Sequence, residues 1–412
     1  MSQDSIQRAV RSLGPGPLTE DALREHVFPL FSRVLARKDI YLANHSLGLP
    51  LDRMAEDVRA AVDAWYSDMD EAWGLWLELI QRFRSGVAEL IGVSRPDAIV
   101  PKTAAGQGLR AVLNAVGVER PRVLATRGEF DSIDFILKTY ESRGRASVTW
   151  CEPGANGLFS VDSIVRAITE ARETPSLVVV SQVMYATGQL LDGLDRIVKA
   201  AHARGSLVMI DTYHSAGVVP VNFERLEADF AIGGSYKYLR GGPGACWMAV
   251  HPRHLGAAAL AGPTPLLRTL DTGWFAKKDT FLYQRPDSPE FKVGGDAWLE
   301  STPPVLPVCQ ALAGLELTTR IGVDRLRVYS LEQQGFLAQK LKEHGVNVRE
   351  IEPRGAFLLV PQIDAPGLAG RLKERGLNTD ARSGSVRLCP DMLNTREEMA
   401  RAAAIVAECL IA

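Results

Sequence analysis

Between residues 98 and 250 the chain repeats one pattern: a short apolar run, a turn, a helical stretch, then another apolar run. The runs fall at 98–100, 122–125, 148–151, 177–181, 207–211, 230–232 and 246–250, with helical spacing at 108–116 and 194–203. Runs that are apolar throughout are buried on both faces, which calls for helices above and below a mostly parallel sheet. The pattern therefore predicts an α/β fold built on a mostly parallel seven-stranded sheet. After Ser301 it turns helix-rich, with apolar strands at 356–359 and near 386–388, and predicts a smaller α+β C-terminal domain. Ahead of the sheet, 19–35 reads as one amphipathic helix carrying Leu23, Val27, Leu30, Phe31 and Val34. Two further helical patterns carry Met54, Val58, Val62 and Trp65, then Trp76, Ile80, Phe83 and Val87. The expected division is an N-terminal segment, 1–50, that joins the small domain, a large domain over 51–300, and the small domain over 301–412.

A chain of 412 residues can bury a large core. Its net charge of −2 and the lack of any Lys/Arg run give no reason to expect a nucleic-acid or membrane partner. No stretch of about 18 apolar residues is present to span a bilayer. The polar N-terminus lacks an apolar export region, so the expected location is the cytoplasm. Cys151, Cys246, Cys309, Cys389 and Cys409 show no metal-ligand spacing and read as reduced core thiols.

In open parallel sheets, ligands bind beyond the carboxyl ends of the strands. One run ends in Asp211, followed by Thr212-Tyr213-His214. The next ends in Gly233-Gly234-Ser235-Tyr236-Lys237-Tyr238, and Gly241-Gly242-Pro243-Gly244 follows. A lysine supplies an amine for imine formation, provided it is neutral when it reacts. A carboxylate beside a pyridine nitrogen keeps that nitrogen protonated and makes the ring an electron sink. Taken singly, a strand-end Asp is usually a turn former and a lone Lys a solvated surface residue. The pair in its glycine-rich frame points to pyridoxal 5′-phosphate chemistry on an amino acid.

Ser235-Tyr236-Lys237-Tyr238-Leu239 with its GGPG resembles the lysine signature of the kynureninases, in the class V aminotransferase group of fold-type-I pyridoxal-phosphate enzymes. Asp211-Thr212-Tyr213-His214-Ser215-Ala216-Gly217 is similar to their D-L-A-H-S-A-G, and Tyr41 to Gly48 to their Y-L-x-x-N-S-L-G. Thr187-Gly188-Gln189 matches a third motif, and Ser301-Thr302-Pro303-Pro304 a small-polar-Pro turn. The resemblance runs in order from Tyr41 to Arg387. It implies that Lys237 carries the cofactor and moves the substrate α-proton, and that Asp211 pairs with the pyridinium nitrogen. His214 would contact the ring near its phenolic oxygen, Phe130 would stack on it, and Ser181 would face it. Phe130 as a plain core residue and Ser181 as a turn residue are the competing local readings.

The phosphate belongs at a helix N-terminus, where free N–H groups and the dipole favour an anion; Ala105, Gly106 and Gln107 fit that task. Tyr236, Trp274 and Thr302 would add donors, the last two to the phosphate of a neighbouring subunit, which implies a homodimer. A packed interface aromatic for Trp274 and a turn for Thr302 stand beside those roles. Arg387 would grip the substrate carboxylate, a job suited to the guanidinium fork, with Asn44 and His45 beside it; a structural salt bridge is the alternative for Arg387.

The departures fall around the substrate. The family's phosphate-loop Thr is replaced by Ala105 or Gly106, and the acid after its stacking Phe is displaced, with Ile133 in its place and Asp134 next. His45 replaces an Asn, and the W-W-G-H run reads Gly273-Trp274-Phe275-Ala276-Lys277. The leading expectation is hydrolysis of the Cβ–Cγ bond of kynurenine or a related γ-keto amino acid, with Tyr236 as proton donor. The alternatives are a class V lyase, transaminase or epimerase on another amino acid, and a cofactor-binding protein without turnover.

Overall fold

The computed structural model describes residues 4–256 and 267–411. A two-residue strand, β1 (Ile40–Tyr41), precedes the helices Arg53–Asp68 and Ala72–Ile91. The central sheet follows, with strands β2 (Ile99–Lys102), β3 (Arg122–Thr126), β4 (Ser147–Cys151), β5 (Leu177–Ser181), β6 (Leu207–Asp211), β7 (Phe230–Gly234) and β8 (Cys246–Val250). Their order across the sheet is β2-β8-β7-β6-β5-β3-β4. Pairs from β4 to β7 are parallel, while β8 runs antiparallel to both of its neighbours. All five residues of β5, Leu-Val-Val-Val-Ser, are buried, as expected for a strand covered on both faces. At roughly 1.5–3 kcal/mol for each fully buried Val, Leu or Ile side chain, such strands are the main drivers of this layer.

The smaller C-terminal α+β domain holds the antiparallel sheet β11-β12-β9, made of β9 (Leu358–Pro361), β11 (Asp380–Arg382) and β12 (Ser385–Leu388). A short strand β10 (Leu377–Asn378) pairs in parallel with β1. The N-terminal segment thus runs alongside the small domain and then crosses to the large one. There the Gly48 N–H donates to the Tyr236 carbonyl at 2.7 Å. A Cβ on Gly48 would sit 1.9 Å from the Lys237 carbonyl oxygen, so only glycine lets the two backbones approach this closely.

The single helix expected over 19–35 is corrected. The structure has Glu20–His26, a 3₁₀ turn Phe28–Phe31, and a short helix Ser32–Leu35. Pro29 explains the break: it lacks an N–H and its ring clashes with the preceding turn of an α-helix. The apolar face survives, because Leu23, Val27, Leu30 and Phe31 are all buried.

Candidate active site

Strands β5, β6 and β7 end side by side, with Ser181 opposite Asp211 and Asp211 opposite Ile232. Beyond those carboxyl ends lies a cavity of about 280 Å³, walled by Asp211, His214, Tyr236, Lys237, Phe130 and Ala105 among others. A larger cleft, about 620 Å³, opens at the amino ends of the same strands, around Leu207 and Asp229. Ligand sites of parallel α/β sheets occupy the carboxyl end, and the lysine–aspartate pair lies there.

Lys237 is buried. Its Nζ donates to the His45 carbonyl at 2.7 Å and lies 3.1 Å from His214 Nε2. Burial, helped by the Arg387 charge, brings its pKa down to about 8, so about a tenth of it is neutral at pH 7. Burial also pushes His45 down to about 4 and His214 well below the ordinary histidine range, so both rings are neutral. His214 Nδ1 is buried with no hydrogen-bond partner among the described residues.

Asp211 Oδ1 accepts from the Tyr213 N–H at 2.8 Å, yet burial lifts the carboxyl to about 6. A buried acid in this condition gains from a cationic partner. Ser181 does not line the cavity; its hydroxyl donates to Glu129 Oε2 at 2.6 Å. Glu129 also accepts from Thr126 Oγ1 at 2.6 Å, and burial raises it to about 7. Phe130 lines the cavity and meets Tyr185 edge-on at 5.4 Å.

At the far end, Ala105 opens the helix Ala105–Leu113, and Ala104 before it is extended and offers no side-chain cap, leaving N–H groups toward the cavity end. Gly106 faces a neighbouring helix, where a Cβ would meet Ile136 at 2.7 Å. The Gln107 side chain folds back and accepts from the Thr103 N–H at 2.7 Å and its hydroxyl at 3.0 Å. Thr103 and Ser132 line the cavity as well, a pair of hydroxyls that no motif singled out.

Arg387 sits on β12, directly opposite Asp380 on β11. Its Nε donates to Asp380 Oδ1 at 2.7 Å, NH2 donates to Oδ2, and NH1 donates to the Tyr185 carbonyl at 2.5 Å. The guanidinium also lies over the Phe357 ring at 5.4 Å. His45 Nε2 donates to Asp380 Oδ1 at 2.7 Å, and Asn44 Nδ2 to the Cys389 carbonyl at 3.1 Å. Trp274 and Thr302 do not line this cavity. Trp274 packs against Phe275, Phe281 and Tyr283, and Thr302 is exposed.

The model of the family "Aminotransferase class-V" matches residues 55–267, more than half of the chain. The chain belongs to the class-V aminotransferase family. Along most of its length it is similar to a kynureninase of Geobacillus thermodenitrificans, 27% identical over 388 residues that cover 88% of this chain and 86% of that protein. A kynureninase of Bacillus anthracis is 28% identical over 386 residues, covering 87% and 86%. Among solved structures, the cystine C–S lyase C-DES, in a mutant with glycine linked to its pyridoxal cofactor, superposes with TM-score 0.79 at 20% identity, over 92% of this chain and 98% of that one. The Escherichia coli cysteine desulfurase CsdA gives 0.77 at 17%, over 96% and 99%. These two likenesses show the fold.

As a class-V family member of fold type I, the protein is a pyridoxal 5′-phosphate-dependent enzyme, and its cavity fits that group. A depressed lysine, a buried acid without a full cationic partner, an orphaned His214 Nδ1 and an uncapped helix N-terminus are what imine, pyridinium, phenolic oxygen and phosphate each require. Sequence reasoning missed Asp380 and Glu129. A cross-strand partner of Arg387 could have been found from the two-strand pattern around Ser383-Gly384, whereas Glu129 gave no signal beyond preceding Phe130.

Proposed function

We propose that the enzyme hydrolyses the Cβ–Cγ bond of kynurenine or a related γ-keto amino acid. The observation that carries this reading is the likeness to kynureninases over 84–88% of the chain, joined to a site in which Lys237 and Asp211 line one cavity and Lys237 is linked through His45 and Asp380 to Arg387.

When bound, the cofactor would supply an aldehyde for the lysine amine and an electron sink in its ring. Lys237, with a pKa near 8, is the amine that holds it and then accepts the substrate α-proton on Nζ. His45 and His214, both neutral, orient that nitrogen without adding charge. Asp211 would pair with the ring nitrogen, whose positive charge would relieve the burial cost that raises its carboxyl. Arg387 holds the substrate carboxylate. Burial raises the Tyr236 hydroxyl well above the ordinary tyrosine range, so it keeps its proton and can donate it as the carbon–carbon bond breaks. Water adds to the γ-carbonyl. Trp274 and Thr302, turned away from their own cavity, are assigned to a neighbouring subunit's phosphate in a homodimer. The exposed apolar residues Phe281, Leu282 and Tyr283 beside Trp274 support that surface.

A second reading keeps the cofactor and changes the amino acid: a class V lyase, transaminase or epimerase. It is favoured by the changed stretch Trp274-Phe275-Ala276-Lys277. A desulfurase is not, because all five cysteines are buried and burial raises the Cys389 thiol far from the reactive range. Incubating the purified enzyme with L-kynurenine and 3-hydroxykynurenine decides between the readings. Anthranilate or hydroxyanthranilate together with alanine, absent from Lys237→Ala, is the expected result. A cofactor-loaded enzyme that turns over neither compound would overturn the kynureninase reading and leave the second.

A further inference from the structure

The Asp380 side chain touches both Arg387, to which the proposed function gives the substrate carboxylate, and His45, which orients the Lys237 nitrogen. One of its oxygens accepts from His45 Nε2 and from Arg387 Nε, each at 2.7 Å, and the other accepts from Arg387 NH2. Its position is fixed by register, since Asp380 and Arg387 are cross-strand partners on β11 and β12. Burial alone would raise the Asp380 carboxyl, but the hydrogen bonds from His45 and Arg387 overrule it and hold the group ionised well below the usual range. The other face of the same His45 is its carbonyl, which accepts from Lys237 Nζ at 2.7 Å.

A guanidinium has five N–H groups. Asp380 takes the Nε proton and one on NH2, and the Tyr185 carbonyl takes one on NH1. One proton is left on each terminal nitrogen. Two parallel donors are what a carboxylate accepts bidentately. An arginine free to turn on its long stem would present any edge; one clamped along its side presents only its end. Ion pairs of buried arginines are costly in themselves, so the clamp is better explained by orientation than by stability.

We propose that Asp380 is the positioning residue of the substrate-carboxylate subsite: it clamps Arg387 along its side so that the end of the fork meets the carboxylate, and through His45 it ties that subsite to the loop holding Lys237. This rests on the reading of Arg387 as the carboxylate residue. The effect acts on the carboxylate and not on the amine.

The test uses the holoenzyme and the change in its visible band on titration with L-alanine and with L-alaninol, in which an alcohol replaces the carboxylate. Asp380→Asn keeps the shape but loses one acceptor and the charge. It is expected to weaken L-alanine by about tenfold, the scale of a lost hydrogen bond to a charged group, and to change L-alaninol less than about twofold on the same scale. Asp380→Glu, which keeps the charge and displaces the oxygens, is expected to shift L-alanine in the same direction and serves if the first variant does not fold. Unchanged or tighter L-alanine binding would overturn the proposal, the tighter case showing that Asp380 competes with the substrate. Equal weakening of both ligands would overturn it too, in favour of a general loss of structure. Arg387→Lys separates the layers: if it leaves L-alanine binding intact, the reading of Arg387 itself fails. If it weakens L-alanine while Asp380→Asn does not, only the role of Asp380 fails.

Discussion

Asp211 carries opposite consequences for folding and for chemistry. Its carboxyl titrates near 6 in the fold because of burial, against an ordinary value of 3.8. The folded cofactor-free protein therefore holds the proton more tightly than the unfolded chain, and stability falls as pH rises from about 3.8 to 6, then stays reduced. Asp211→Asn removes that penalty. The cofactor-free variant is expected to be more stable than the parent at pH 7, by up to about 3 kcal/mol, and equal to it near pH 3.5. The same substitution is expected to lower kcat by at least about 10² for want of a charged partner to the ring nitrogen. Thermal melts of both cofactor-free proteins across pH, beside a turnover assay, check the pair of effects; a variant less stable at pH 7 would contradict the account.

At the level of single elements, the strand pattern of the sequence passed into the structure with small shifts at the ends. The runs 177–181, 207–211 and 246–250 became β5, β6 and β8 with the same bounds, because five-residue apolar runs between turns are too short for buried helices and fit strands covered on both faces. The 19–35 stretch failed because its apolar spacing reports burial and not backbone continuity, which Pro29 decides. Asp211, His214 and Lys237 were legible because Asp211 ends β6 and the other two sit in the turns directly after β6 and β7. Asp380 and Glu129 were not, since each matters through a partner far along the chain: Asp380 meets His45 and Glu129 meets Ser181. Asp229, directly before β7, is another such residue. Its oxygens accept from His202 Nε2 at 2.9 Å and His254 Nε2 at 2.7 Å, with Arg253 at 3.3 Å, tying a helix and a turn to the sheet. Burial alone would raise its carboxyl, but those histidine hydrogen bonds hold it well below the usual range. Its contribution is present above its ordinary value near 3.8 and is lost as pH falls through the depressed one. Asp229→Asn is expected to cost about 3 kcal/mol at pH 7 and to flatten the loss of stability on acidification below about pH 3.8. Denaturant melts at pH 7 and near pH 2 check this; a variant that loses as much stability on acidification as the parent would contradict it.

Across the whole molecule, the site forms where three parts of the chain meet. The N-terminal strap brings the His45 carbonyl, the large domain brings Lys237 and His214, and the small domain brings Arg387, Asp380 and Phe357. The Phe357 ring lies 5.0 Å from His45, 6.1 Å from His214 and 5.4 Å from Arg387, so one side chain packs against all three contributors. No helix among the described residues is long and apolar enough to cross a membrane. If Trp274 and Thr302 serve a second subunit, specific activity falls on dilution below the dimer dissociation constant, and Trp274→Ala lowers cofactor affinity only in the dimer. Sedimentation and activity measured on one dilution series check this, and full activity in a monomer would contradict it. The central claim, that Lys237 carries pyridoxal 5′-phosphate at the carboxyl end of the sheet, is tested most directly by reducing the holoenzyme with borohydride and mapping its peptides. The account predicts a phosphopyridoxyl group on the peptide containing Ser235-Tyr236-Lys237, fixed to Lys237; the group on any other lysine, or on none, would contradict it.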